Sequence, residues 1–105
     1  MLYEVKEILA KRKLIDDEHD YENDYEIEKC CKSLIDILSK DEDKTIEVIN
    51  QLDETEILYL SEVFEDISER LQSEKYINCL KRIGEKYTDI PIASSIKTAE
   101  EFYWG

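Results

Sequence analysis

Residues 53–87 read DETEILYLSEVFEDISERLQSEKYINCLKRIGEKY, and this stretch decides the fold class. It opens on Asp53 with Glu56 three residues later. In that pattern a capping carboxylate takes a free amide of the first turn while the glutamate reaches back to the cap. Ile57, Leu60, Val63, Phe64, Ile67 and Leu71 then recur at three- and four-residue steps, which predicts one helical face running for over four turns. Ser73 is the next cap, and Tyr76, Ile77, Leu80, Ile83 and Tyr87 mark a following helix. Gly84 falls late in it, and the helix is expected to stop near Asp89, ahead of Pro91.

The same period extends upstream. From about Asp24, the residues Ile27, Cys30, Cys31, Leu34, Ile35 and Leu38 form a wide apolar face. SKDEDK at 39–44 interrupts it, with Asp43 as the expected cap of a helix carrying Ile46, Val48, Ile49 and Leu52. Leu2, Val5, Ile8 and Leu9 place a first helix from Leu2 to about Lys13. Only two glycines and one proline punctuate the chain, and the Asn-Gly and Pro-Gly pairs that close tight sheet turns are missing.

The expectation is therefore an all-α single domain of about five or six helices, built from antiparallel hairpins at 25–52 and 56–87. Leu34, Ile35 and Leu38 match Val63, Phe64 and Ile67 at an offset of 29, and Ile46, Ile49 and Leu52 match Ile77, Leu80 and Ile83 at 31. Such an echo suits a HEAT-like stack, and a plain bundle is the alternative. The expected partition is an N-terminal helix at 1–15, an acidic connector at 16–24, the hairpins at 25–89 and a tail at 90–105. Within the tail, DIPIASSIK reads as a loop or short extended segment, and TAEE at 98–101 as a second capping box. Phe102, Tyr103 and Trp104 are expected to pack back on the body, with a place in a partner surface as the alternative.

With 27 acidic against 14 basic residues the net charge is −13, which repels phosphate backbones and anionic lipid and attracts basic proteins. Neither direct nucleic-acid binding nor membrane binding is expected. The three cysteines are odd in number, and Cys30 and Cys79 fall on apolar faces, as buried thiols of a reducing cytoplasm would. His19 is the lone histidine and no Cys-x-x-Cys exists, which argues against zinc and against a Cys–His or Ser–His nucleophile. Glycine occurs only at 84 and 105, so no phosphate-cradling loop is present and no cofactor is expected. The segment DDEHDYENDYEIE at 16–28 holds eight carboxylates, yet counted as a calcium loop from Asp16 its sixth and twelfth positions are Tyr21 and Ile27. The glycine and glutamate of that motif are lacking. Lys11, Arg12 and Lys13 precede this segment, and Asp16–Glu18 are expected to neutralise them within the molecule.

A better organised acidic feature lies opposite the apolar stripe after Asp53. Glu62, Glu65, Asp66 and Glu69 sit at i, i+3, i+4 and i+7, a spacing that predicts one ridge, with Tyr59 at its edge. Like charges so placed repel one another, so the ordinary solvated face would mix lysines among them. These five residues are the expected contact for a basic partner, with a contribution from Asp20, Tyr21 and Asp24 in the acidic segment.

Residues 57–87, and within them the Leu60–Ser68 run LSEVFEDIS followed by LQS at 71–73, resemble small acidic proteins encoded beside bacterial polymorphic toxins. These include the immunity proteins of contact-dependent growth inhibition. The resemblance implies a non-enzymatic cytoplasmic protein that binds a cognate toxin, many of which are nucleases with basic surfaces, and blocks its active site or substrate entry. It implies neither a fold nor particular site residues. The rival readings are a helical scaffold that presents a groove to a basic host protein and an acid-pair hydrolase, which would require a concave site.

Overall fold

The apolar periods become helices, with one interruption. The computed structural model describes residues 1–18 and 24–105. Among these described residues seven helices follow in order: α1 (Leu2–Asp17), α2 (Asp24–Leu38), α3 (Glu42–Ile49), α4 (Glu54–Leu60), α5 (Phe64–Leu71), α6 (Glu74–Lys86) and α7 (Ala93–Glu101). A single 3₁₀ turn, Ser61–Val63, joins α4 to α5, so six helices remain if 54–71 is counted as one interrupted rod. Among the described residues there is no strand, and none of the helices is long and apolar enough to cross a membrane. The fold is all-α, as the sequence predicts.

The interruption corrects the expectation of a continuous helix after Asp53. Leu60, Ser61, Val63 and Phe64 are all buried. A straight α-helix cannot turn four of five consecutive residues toward one core. Tightening to three residues per turn aligns Leu60 with Val63 and Ser61 with Phe64, after which α5 starts in a new register. The Ser61 hydroxyl donates to Leu58 O at 2.5 Å and helps draw the turn in.

The predicted capping box is present: Glu56 N donates to Asp53 Oδ1 and Asp53 N to Glu56 Oε1, both at 2.9 Å. Asp53→Ala should cost about 1 kcal/mol of stability in urea denaturation, the usual worth of a cap. Ser73 caps α6 as expected, accepting from Tyr76 N at 3.1 Å, and its hydroxyl also meets the Glu42 carboxylate at the start of α3. The cap of α3 is Asp41 rather than Asp43. Asp41 has the extended backbone a cap needs and accepts from Asp43 N and Lys44 N at 3.0 and 3.1 Å, which leaves Asp43 inside the first turn. Leu52 is buried beyond the end of α3, α6 stops at Lys86, and α1 runs on to Asp17 because Ile15 is buried and Lys13 pairs with Asp17 at 2.6 Å.

The tail is more helical than its sequence suggests. Ile92, Ile96 and Ala99 are buried at steps of four and three, and that stripe starts α7 well before TAEE. Thr98 is accordingly mid-helix, donating to Ser94 O at 2.9 Å instead of capping. Gly84 lets α6 and α7 close on each other, since a Cβ there would lie 2.9 Å from Ile96 Cδ1. The core is continuous, from Val5 and Leu9 of α1 through Leu34, Leu38, Ile57, Phe64 and Tyr76 to Ile96. Cys30 and Cys79 are buried in the expected manner, and all three thiols are free.

Helix α2 meets α5 and α3 meets α6, as two stacked hairpins require. The larger contacts are made by the outer helices, α1 against α2 and α7 against α5. Glu65 shares a cleft with Ser95 and Thr98, Ser68 Oγ donates to Ala99 O at 2.5 Å, and Gln72 Nε2 donates to Phe102 O at 2.7 Å. This ascending order shows that α5 and α7 run side by side in the same direction and end together.

Candidate partner-binding surface

The basic triplet on α1 is consumed internally, by partners mostly distant in sequence. Lys13 takes Asp17 as predicted, but Lys11 bridges to Glu26 of α2 at 3.0 Å and Arg12 reaches the 3₁₀ turn. Arg12 Nε and Nη2 grip Glu62 Oε1 and Oε2 at 2.9 and 3.0 Å, a fork-to-fork pair that fixes both side chains. That hydrogen bonding, above all, raises the guanidinium's pKa, and the Lys11 ammonium paired with Glu26 lowers that of the carboxyl. The Arg12 side chain is only 12% exposed and its guanidinium carbon lies 5.5 Å from the Tyr59 ring centroid. Its third nitrogen, Nη1, is enclosed without a hydrogen bond, and the adjacent aromatic face offsets part of that loss. The Tyr59 hydroxyl donates in turn to Asp16 Oδ2 at 2.9 Å. Tyr59 and Glu62, expected in an open ridge, thus tie α1 to α4 and the 3₁₀ turn.

The remaining three acids divide between two edges of α5. Glu65 lines the cleft against α7, and Glu69 lies one turn further along the same stripe. Asp66 sits toward α2, where its charge bears on the Cys31 thiol, and Arg70 beside it bonds Asp36 of α2 at 3.0 Å. The 3₁₀ turn moves Glu62 out of line, so the single four-residue ridge becomes an α7-side edge of Glu65 and Glu69 and an α2-side Asp66. Among the described residues, none of these three carboxylates has an ion-pair partner. Asp24 is exposed in the first turn of α2, where a carboxylate suits the helix amino end. Asp20 and Tyr21 lie outside the described residues.

The cleft between the 3₁₀ turn, α5 and α7 is open and small, about 180 Å³, and is lined by Ser61, Glu62, Glu65, Ser94, Ser95 and Thr98. The Ser61 and Thr98 hydroxyls donate to backbone carbonyls, so neither is held by a base. A second hollow of about 310 Å³ lies between α1 and α4, beside Lys13, Glu56 and Tyr59. Among the described residues no three Cys, His, Asp or Glu side chains are grouped to hold a metal ion.

The feature that sequence reasoning missed is Gln72. It follows α5 with φ 46° and ψ 53°, a left-handed conformation that costs a non-glycine residue about 1–2 kcal/mol. Its side-chain Nε2 donates to Glu69 O at 3.0 Å and Phe102 O at 2.7 Å, while its Oε1 accepts from Trp104 N at 2.8 Å. Both amide hydrogens and the amide oxygen are thereby used, which clamps the chain after α7 to the end of α5. Gln72→Gly should be more stable than Gln72→Ala by about 1 kcal/mol in chemical denaturation, because only glycine relieves the left-handed backbone once the clamp is gone. The clamp also corrects the expectation for the aromatic trio. Tyr103 packs against the core and Phe102 is half-buried, but Trp104 stays 70% exposed.

No family model, no curated protein and no solved structure matches this chain.

Proposed function

We propose that the chain is a non-enzymatic immunity protein that binds a cognate bacterial toxin domain in the cytoplasm and occludes its active site or substrate entry. A nuclease is the toxin class whose basic surface fits best. The observation that carries this reading is the uneven use of charge. The cations of α1 are bound to acids within the fold, whereas Glu65, Asp66 and Glu69 on α5 have no ion-pair partner among the described residues. Three unpaired carboxylates of a −13 chain thus stand together on one short helix, where they steer a basic partner and are complementary to it.

Coexpression with the neighbouring toxin gene, copurification and calorimetry test the reading. A complex is expected, with an association rate that falls as salt rises. Glu65→Lys combined with Glu69→Lys should weaken it by about a hundredfold or more, since two attractive contacts become repulsive. Failure to detect any complex at low salt would overturn the proposal.

A further inference from the structure

Helices α5 and α7 end together, and the last turn of α7 carries the wrong charge for its position, while that of α5 sets Glu69 beside Arg70. A helix carboxyl end bears roughly half a negative charge, which cations complement. The last turn of α7 has no base and instead ends in Glu100 and Glu101, and Glu69 stands in the last turn of α5. Glu100 is paired with Lys81 at 3.1 Å and Arg70 is committed to Asp36, which leaves Glu69 and Glu101 without an ion pair among the described residues. Concentrating negative charge there works against the folded chain taken alone.

At the same corner the chain displays an exposed aromatic side chain on a backbone that is held in place. Gln72 fixes the Phe102 carbonyl and the Trp104 amide, yet the indole remains 70% exposed. The Phe102 and Trp104 rings lie 6.2 Å apart between centroids and are tilted by 51°. An exposed tryptophan gains little burial for the monomer, and one on a fixed backbone has only its side-chain freedom to lose on binding.

We propose that Trp104, with Phe102 behind it and Glu69 and Glu101 in the last turns of the two helices that end at this corner, is a docking patch for an arginine on the surface of the basic partner. The guanidinium stacks on the indole and donates its forked hydrogens to the two carboxylates. Arginine suits the patch better than lysine because its planar, weakly hydrated head can stack and bond at once. The patch rests on the reading that the partner is a basic protein, and it adds the chemistry by which that partner is gripped.

Trp104 is the sole tryptophan, so its fluorescence reports directly on the patch. Full-length protein is titrated at low salt with a capped tri-arginine peptide and, in parallel, with tri-lysine. The arginine peptide is expected to shift and quench the emission and to bind about fivefold more tightly than tri-lysine. Glu69→Gln with Glu101→Gln should weaken arginine binding about tenfold. Glu28→Gln with Glu47→Gln removes equal charge from exposed positions of α2 and α3 and should change it less than about twofold. Unaltered emission at saturation, equal affinity for the two peptides, or equal weakening by the two double variants overturns the patch. A toxin complex that Trp104→Leu fails to weaken also overturns it and leaves the immunity reading standing. If the arginine peptide binds as described in a protein that binds no toxin, the immunity reading falls and the patch survives.

Discussion

Tyr76→Ala is expected to cost about 3–5 kcal/mol, a large share of the roughly 5–15 kcal/mol that holds a domain this size. Tyr76 is 0% exposed and is among the largest fully buried side chains. Its ring fills the space between α6 and α5, and its hydroxyl donates to Phe64 O at 2.9 Å, at the point where the 3₁₀ turn gives way to α5. Tyr76→Phe keeps the ring and removes the donor, so it should cost only about 1–2 kcal/mol. Urea denaturation followed by circular dichroism separates the two. Equal losses for Phe and Ala would mean that the hydroxyl rather than the ring holds the corner.

The same residue sets the alkaline limit. Burial pushes the Tyr76 phenol well above its ordinary 10.0, with Cys79 and Asp66 adding to the rise. A phenol that holds its proton more tightly in the folded chain contributes stability that is whole below pH 10 and is lost as pH climbs beyond it. The thiols of Cys30, Cys31 and Cys79, raised from 9.0 chiefly by burial, act in the same direction from about one unit lower. The melting temperature should therefore be level up to about pH 8.5 and fall above it. In Tyr76→Phe the fall above pH 10 should be shallower, which a pH series of thermal melts will show.

Arg12→Ala is expected to have opposite effects on stability and on binding. Truncation removes the forked bond to Glu62, the stack on Tyr59 and the packing of a largely buried stem. A loss of about 2 kcal/mol follows, below the cost of breaking a fully buried pair because Glu62 is 36% exposed and rehydrates. A double-mutant cycle with Glu62→Gln should return a coupling of about 1 kcal/mol. The freed Glu62 carboxylate adds a negative charge beside Glu65, so association with a basic partner should accelerate severalfold at low salt. A variant that loses stability without binding faster would place Glu62 outside the contact surface.

These expectations rest on unequal parts of the sequence. The capping box at Asp53 and Glu56, the Ser73 cap and the face running from Ile27 to Leu38 were legible because each is a pattern among residues within a few turns. Such patterns are satisfied by local backbone geometry whatever else the chain does. The 3₁₀ turn was not legible, since its cause is that Leu60, Ser61, Val63 and Phe64 all face one core. The start of α7 was hidden because Ile92 and Ile96 look like isolated apolar residues until Gly84 and the α5 surface receive them. Nothing local marks Gln72 as a clamp, for its partners are 30 and 32 residues away.

By itself the sequence determined that the chain is helical, where most helices begin, and that it carries a large negative excess. Those properties follow from short-range hydrogen bonding, periodic burial and composition, none of which depends on how distant segments meet. Which carboxylates remain open was decided only by the tertiary structure. Arg12 and Glu62 are fifty residues apart in the chain, and a charge is neutralised by what lies within a few ångströms of it, wherever that neighbour falls in the sequence.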